Sequence, residues 1–499
     1  MSGNEVRTRF APSPTGFMHV GNLRTALYEY LIAKSLGGKF ILRIEDTDQE
    51  RKIEGATQVI YNTLANVSIR HDEGPDIGGP CSPYVQSERL PIYKPYAEEL
   101  VRKGAAYYCF CSKERLDSLK KPDGETEENV FHSGYDRHCR TLAEEEVRSL
   151  LAAGTPYVIR QKMPVSGSTT FHDAVYGSIT VENVELEDQI LLKSDGYPTY
   201  NFANVIDDHL MRITHVVRGS EYLSSAPKYN LLYEAFGWEI PIYVHLPLIM
   251  GKNPDGSVSK LSKRHGSTSY EDLLREGYLT EAIVNYIALL GWCPKDNVEI
   301  LSMEDLISFF SIDGISKSPA IFDYDKLRWF NSEYIKALPF DRFHKLALPF
   351  YIRLFGDDKM DFIKISELLQ SRLSQLTQIP DMISFLHELP AYPAEFYIHK
   401  KMKTTIESSL EKLKEILPLL EKQEPWDQES IHALLVGFAE SREIKNGQIM
   451  WPVRTAVSGV EVTPGGAVEL LSILGREESL RRILFGIKLL EDSMQARQE

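Results

Sequence analysis

Arg9-Phe10-Ala11-Pro12-Ser13-Pro14-Thr15-Gly16-Phe17-Met18-His19-Val20-Gly21-Asn22 is the stretch whose reading decides the fold. Arg7 to Ala11 reads as a short strand and Pro12 to Gly16 as a turn-rich loop. Leu23, Ala26, Leu27, Tyr30 and Leu31 then recur at helical spacing, Gly37-Gly38 stops the pattern, and Lys39 to Ile44 is a second, apolar strand. A strand, crossover helix and strand of this kind imply a parallel, doubly wound sheet. Ligands of such sheets bind at the carboxyl edge, where the first strand delivers Arg9 and Ser13. His19, Gly21 and Asn22 fall at the helix N-terminus, where free N–H groups and the helix dipole favour an anion such as a triphosphate. Gly21, lacking a side chain, lets a flat base approach the backbone.

Outward from this stretch the chain changes character in blocks. From about Ile92 to Leu192, cysteines, a charged stretch at Lys120 to Asn129 and β-like runs such as Ser178 to Val181 suggest an inserted α+β domain. The α/β character returns near Asp195 to Tyr200, with Ile213 to Arg218 as a further buried strand. Beyond Asp325 the pattern is helical. Ile406, Leu410, Leu413, Leu417 and Leu420 give one apolar face, Ile483, Leu484, Ile487 and Leu490 another, and Asp427 is a candidate N-cap. The expected architecture is an α/β, Rossmann-type doubly wound parallel sheet in two halves (1–91 and 193–254), split by the insertion (92–192). A connecting region (255–340) and an all-α C-terminal region in two parts (341–395 and 396–499) follow.

The chain has 499 residues, 43% of them hydrophobic, enough for several cores. It contains no apolar stretch near the roughly 18 residues that cross a bilayer. Met1 to Arg9 is polar where a signal peptide is apolar, so the expected location is cytoplasmic, with no membrane partner. Five cysteines are too few for a disulfide framework, and three of them (Cys109, Cys111 and Cys139) share one region, which suits a metal in a reducing compartment. A formal net charge of −15 argues against indiscriminate nucleic-acid binding, because phosphate attraction makes such binders basic. A folded RNA on a local basic face remains compatible with it.

A second constellation, Lys260-Leu261-Ser262-Lys263-Arg264, follows Gly251 and Gly256. Alone, such a pentamer is usually solvated surface. On a mobile loop beside a triphosphate it can offset the charge of a departing pyrophosphate. Together the two segments resemble the two signatures of class I aminoacyl-tRNA synthetases. Asn22 replaces the second histidine of the first signature and Arg264 the final serine of the second, both as in the glutamyl form. Arg43 to Asp48, Lys193 to Tyr200, Asn204 to Leu210 and Leu327-Arg328-Trp329 extend the likeness along essentially the whole chain, to the bacterial type of glutamyl-tRNA synthetase.

This resemblance implies an ATP-consuming enzyme that activates L-glutamate as its adenylate and passes it to the 2′-hydroxyl of the terminal adenosine of tRNA(Glu). It implies a glutamate pocket in which Arg9 and Arg218 hold carboxylates, Glu45 the amino group, and Tyr200, Asn204, Ala11 and Ser13 complete the walls. A guanidinium fork suits a carboxylate better than an ammonium does. The resemblance places His19, Gly21, Asn22 and Glu221 near ATP, Lys260 and Lys263 on its leaving phosphates, and Mg2+ with the phosphates. His209 is a further candidate, with a buried structural histidine as the plainer reading.

Cys109, Cys111, Tyr135 and Cys139 resemble a structural Zn2+ site of some relatives. Other relatives carry a histidine where Thr141 stands here, or have no metal, and the sequence leaves both readings open. The resemblance assigns 92–192 to the acceptor stem, 255–340 to stem contacts and 341–499 to the anticodon. There Arg372 matches an arginine that reads the last anticodon base in some relatives, and Trp451 to Arg454 and Thr463 to Gly465 match loops. The glutaminyl enzymes carry β-barrels in that region, which separates the two. Charging of tRNA(Gln) as well as tRNA(Glu) stays open, and a monomer is expected. Two competitors are weaker: a tRNA-binding paralogue without catalysis, which would not need both signatures, and a paralogue that glutamylates a modified base, which lacks the anticodon region.

Overall fold

In the computed structural model, which describes residues 5–47, 53–119, 135–356 and 360–496, the opening stretch folds as read. Strand β1 (Arg7–Phe10), helix α1 (Val20–Ser35) and strand β2 (Lys39–Leu42) form a β-α-β unit, with β1 and β2 parallel from Arg7 opposite Lys39 to Phe10 opposite Leu42. Leu23, Ala26, Leu27, Tyr30 and Leu31 are all buried on α1, so the apolar spacing is what seats the helix. Asp48 and the stretch Lys120 to Asn129 lie outside the described residues.

Helices α2 (Ala56–Asn66) and α3 (Leu90–Arg102) lead to strand β3 (Ala106–Cys109). After α4 (Lys113–Leu119) and α5 (Glu144–Ala152) come β4 (Val158–Gln161), a hairpin of β5 (Ser168–Asp173) and β6 (Gly177–Glu182), and β7 (Ile190–Leu192). A three-stranded antiparallel sheet in the order β3-β4-β7 forms the insertion. The hairpin leaves that sheet: β5 pairs in parallel with β9 (Ile242–Leu246), which pairs in parallel with β8 (His215–Gly219). Helix α6 (Tyr200–Leu210) precedes β8, and α7 (Ala226–Phe236) connects β8 to β9. The two halves of the parallel sheet meet where Thr214 N donates to Arg7 O at 2.9 Å and Arg9 Nη1 to Val217 O at 3.3 Å. Segments some 200 positions apart in sequence therefore share one carboxyl edge.

This sheet belongs to the first of two compact units, Met1–Leu273 with Ile283–Asp323; the second is Leu274–Ala282 with Tyr324–Glu499. Apart from short turns the second is helical, with helices such as Phe340–Phe355, Ile406–Glu421, Gln428–Ser441 and Gly447–Ser458, and a final stretch, Ala467–Ala496, that is two helices broken at the non-helical Gly475. Asp427 caps its helix by accepting from Ser430 N at 2.8 Å, as its position in sequence suggests. One expectation fails: Leu484 is 51% exposed while Ile483, Ile487 and Leu490 are buried. Positions 483, 487 and 490 repeat at four and three residues and share a face, and Leu484 is turned about 100° away. Arg482, only 1% exposed, ties the last helix down by donating to the carbonyls of Phe385, Leu386 and Val457. Among the described residues no helix is long and apolar enough to cross a membrane.

Candidate active site

A cleft of about 350 Å³ opens at the carboxyl edge of the sheet, lined by residues that include Arg9 to Ser13, His19, Gly21, Asn22, Glu45, Tyr200, Arg218, Gly219, Glu221, Tyr222 and Lys260. Its deep end is charged. Arg9 is 4% exposed and donates to Asp208 Oδ1 at 2.9 Å and Glu29 Oε1 at 3.2 Å. Fully buried Arg43 donates to the same Asp208 oxygen at 2.7 Å and to Glu45 Oε1 at 2.9 Å. Burial alone raises the Asp208 carboxyl, but Arg9 and Arg43 outweigh it and hold it below its ordinary range. Glu29 goes the other way: burial and the Asp208 charge lift it well above that range against the pull of Arg9. Glu45 is raised by burial and opposed by Arg43, which occupies only one of its oxygens and leaves Oε2 for an incoming cation.

Arg218 has no such partner. It is 7% exposed, and its Nε and Nη1 are buried without a hydrogen-bond acceptor. Its guanidinium carbon lies 4.5 Å from the Tyr229 centroid and 5.4 Å from that of Tyr222. Such rings steady a cation by about 0.5–2 kcal/mol without supplying an oxygen. A buried guanidinium lacking its carboxylate is costly in the free protein and a strong acceptor-seeking group for a ligand. Of Arg9, Arg43 and Arg218, Arg218 alone has no carboxylate partner among the described residues.

At the cleft mouth His19 caps α1, its Nδ1 accepting from Gly21 N at 3.0 Å. Burial, then the nearby Lys260 charge, hold the ring below its ordinary pKa. A neutral ring that accepts at Nδ1 carries its proton on Nε2, a donor free to meet a phosphate oxygen. A Cβ on Gly21 would come within 3.3 Å of that Nδ1, so glycine keeps the cap close. Lys260 pairs with Glu221 at 3.3 Å, and a Cβ on Gly219 would stand 1.9 Å from Glu221 Oε2, so the bare backbone at 219 makes room for that carboxylate.

Not every expected residue lines the cleft. Asn204 is buried on α6 with its Nδ2 unpartnered, outside the lining. Lys263 also lies outside it, in a short 3-10 turn, Lys263–His265. The lysine-rich segment begins in regular structure: Lys260 ends a strand, Val258–Lys260, that pairs antiparallel with Ile249–Lys252, and Arg264 donates to Ser259 Oγ at 2.7 Å. His209 is half-buried and stacks on Trp238 at 3.7 Å, outside the cleft lining, a packing contact and not the fully buried histidine of the plainer reading. Sequence reading missed Glu29 and Arg24, the latter spent on the carbonyls of Leu290 and Pro247. Both are charges on a helix otherwise buried along its length, and that misfit was the available signal.

In the insertion, the ligand atoms of Cys109, Cys111 and Cys139 all lie within 4.8 Å of one another. Cys111 and Cys139 are 3.5 Å apart, and Tyr135 Oη is 3.2 Å from Cys109 Sγ. Thiolates around a tetrahedral zinc ion stand about 3.7 Å apart, so the donor set fits one. In the second unit, Arg372 donates to Leu368 O. Trp451 to Arg454 is not a loop as expected but part of the helix Gly447–Ser458, which Pro452 does not break. Arg454 lies 4.1 Å over the Trp451 ring and donates to Thr463 Oγ1 and Glu461 O, each at 2.9 Å.

The glutamate–tRNA ligase of Clostridium kluyveri is 59% identical over 487 residues, covering 98% of each chain. The chain belongs to the glutamate–tRNA ligase family. The Clostridium acetobutylicum member of that family is 58% identical over 98% of this chain and its own full length. The family profile "tRNA synthetases class I (E and Q), catalytic domain" matches residues 5–329, and "Anticodon binding domain" matches 342–487. Among solved structures, the glutamate tRNA ligase of Elizabethkingia meningosepticum in complex with its amino acid superposes with a TM-score of 0.85 at 35% identity, over 98% of this chain and all of that one. The class I α/β fold with a helical anticodon domain is thus common to this chain and its family.

Proposed function

We propose that the cleft binds L-glutamate and ATP in line, and that the α-carboxylate attacks the α-phosphate to give glutamyl-adenylate and pyrophosphate. The glutamyl group then passes to the 2′-hydroxyl of the terminal adenosine of tRNA(Glu). The observation that carries this reading is the unpaired guanidinium of Arg218 beside the Arg9–Asp208–Arg43–Glu45 network. Glutamate carries one net negative charge at neutral pH, with two carboxylates and one ammonium. Arg218 and Arg9 complement the carboxylates, and Glu45 Oε2 the ammonium.

No side-chain nucleophile is needed. Gains come from alignment and from positive groups placed where charge develops: the His19 Nε2–H and Lys260 at the mouth, with Lys263 brought in when phosphates bind. Magnesium enters with ATP as its counter-ion. Cys109, Cys111, Cys139 and Tyr135 would hold a structural zinc ion, whose part is to fasten the insertion that meets the acceptor stem. Metal analysis of the purified chain tests this, with one zinc per chain expected and less than a tenth opposing it.

The reading places the enzyme in the cytoplasm as a monomer, with the helical unit on the anticodon. Charging purified tRNA(Glu) and tRNA(Gln) separately with labelled glutamate tests it. Labelling of tRNA(Glu) is expected, tRNA(Gln) labelling marks the non-discriminating form, and labelling of neither rejects the function.

A further inference from the structure

Asp173, ending β5, and His245, on β9, form a pair with no exposed surface that belongs to no role described so far. Asp173 Oδ2 accepts from His245 Nδ1 at 2.7 Å and His245 N at 3.0 Å, while Oδ1 accepts from the backbone of Val175 and Tyr176. Burial pushes the Asp173 carboxyl up, but these donors outweigh it, so it is an ionised acceptor. Nδ1 must then carry the ring's proton. Burial favours the neutral ring, against the pull of Asp173, so Nε2 is a bare lone pair; it is buried without a partner.

His245 stands opposite Arg218 in the parallel ladder of β8 and β9. Tyr243 sits two residues before His245, its ring 6.1 Å from the imidazole and 6.0 Å from the Arg218 guanidinium. One face of the sheet thus gathers an orphan acceptor, His245 Nε2, and three orphan donors, Arg218 Nε and Nη1 and the Tyr243 hydroxyl. Burial makes each orphan costly, by about 1–3 kcal/mol, and a donor and an acceptor relieve one another. The charged groups acting on His245 are Asp173, Arg218 and Glu221.

We propose that His245, held by Asp173, is a positioning residue for Arg218: in the glutamate complex its Nε2 accepts one Arg218 N–H and turns the rest of the fork onto the substrate's carboxylate. The inference rests on the reading of Arg218 as a glutamate-binding group. No proton moves, so the effect lies in glutamate binding and not in the chemical step.

The test is ATP–pyrophosphate exchange with tRNA present, on wild type, His245→Asn and His245→Gln, with thermal denaturation of each. Asparagine mimics the Nδ1 side and still donates to Asp173 but has no acceptor at the Nε2 position. Its KM for glutamate should rise about tenfold, the worth of one hydrogen bond to a charged group. Its KM for ATP and its kcat should stay within threefold of wild type. Glutamine, whose amide reaches the Nε2 position, should recover most of the loss. A folded His245→Asn enzyme with glutamate KM within twofold of wild type overturns the proposal, as does an equal rise in both KM values. If His245→Asn does not fold, the 15N resonance of His245 Nε2 in wild type decides: it should move on adding glutamate, and an unmoved resonance refutes. Wild type lacking glutamate-dependent exchange would instead reject the assignment of Arg218 and the proposal with it.

Discussion

Replacing Arg218 with methionine should move activity and stability in different directions. The side chain is 7% exposed, no carboxylate pairs with it, and its Nε and Nη1 have no acceptor, so the free protein loses little when the charge goes. What it loses is ring contact with Tyr229, Tyr222 and Tyr243, about 0.5–2 kcal/mol, set against relief of a buried unpaired charge of similar or larger size. Methionine keeps the apolar stem and comparable volume. The substrate loses a buried, hydrogen-bonded charge pair, a truncation that costs about 2–5 kcal/mol. At 1.36 kcal/mol per factor of ten, kcat/KM for glutamate should fall by roughly 30-fold to several thousandfold. ATP–pyrophosphate exchange over a glutamate series, with tRNA saturating, measures the first effect, and thermal denaturation without ligand the second. The expected outcome is a large loss in kcat/KM with a melting temperature unchanged or higher. A folded variant within threefold of wild type in kcat/KM refutes the placement of glutamate. A fall in melting temperature beyond about 5 °C refutes the claim that Arg218 is unpaired in the free protein.

Lys260→Ala should lower the rate of adenylate formation by about a hundredfold, the loss typical of one group that stabilises developing charge, with glutamate KM within threefold in single-turnover assays. Because burial depresses the pKa of His19, the unfolded chain takes up its proton first as pH falls below about 6.5, so stability present at neutral pH is lost on acidification. His19→Asn, which keeps a capping side chain, should show a shallower loss between pH 7 and pH 5.5 in urea unfolding; an identical slope would oppose the account. Arg482→Met should destabilise the helical unit by about 3 kcal/mol or more, since the carbonyls of Phe385, Leu386 and Val457 all lose their donor. Differential scanning calorimetry reads that change, and it should leave glutamate-dependent exchange at temperatures below the transition unaffected.

Much of this molecule was legible along the chain because its signals are local. The strand-loop-helix at Arg7 to Ser35 needs only apolar spacing, prolines in the loop and a glycine stop, each of which acts within a turn or two. The same holds for the Asp427 cap and for the buried faces of the C-terminal helices, and the one apolar residue assigned to the wrong side, Leu484, sits at the rim of such a face. The composition of the site was legible too: Arg9, Glu45, Tyr200, Arg218 and Lys260 stand around one cleft.

Tertiary structure alone decided which of these charges are spent and which are free. Arg9 and Arg218 are the same residue type at corresponding strand ends, yet Arg9 commits its Nε and Nη1 to Asp208, Glu29 and the Val217 carbonyl, leaving Nη2, while Arg218 Nε and Nη1 have no acceptor. Hydrogen bonding depends on angles and distances of a few tenths of an ångström between segments as much as 200 positions apart, and residue types and spacing carry no such information. Likewise the lone pair of His245 exists because β5 brings Asp173 beside β9. That is a fact of strand order, not of either residue's neighbours in sequence.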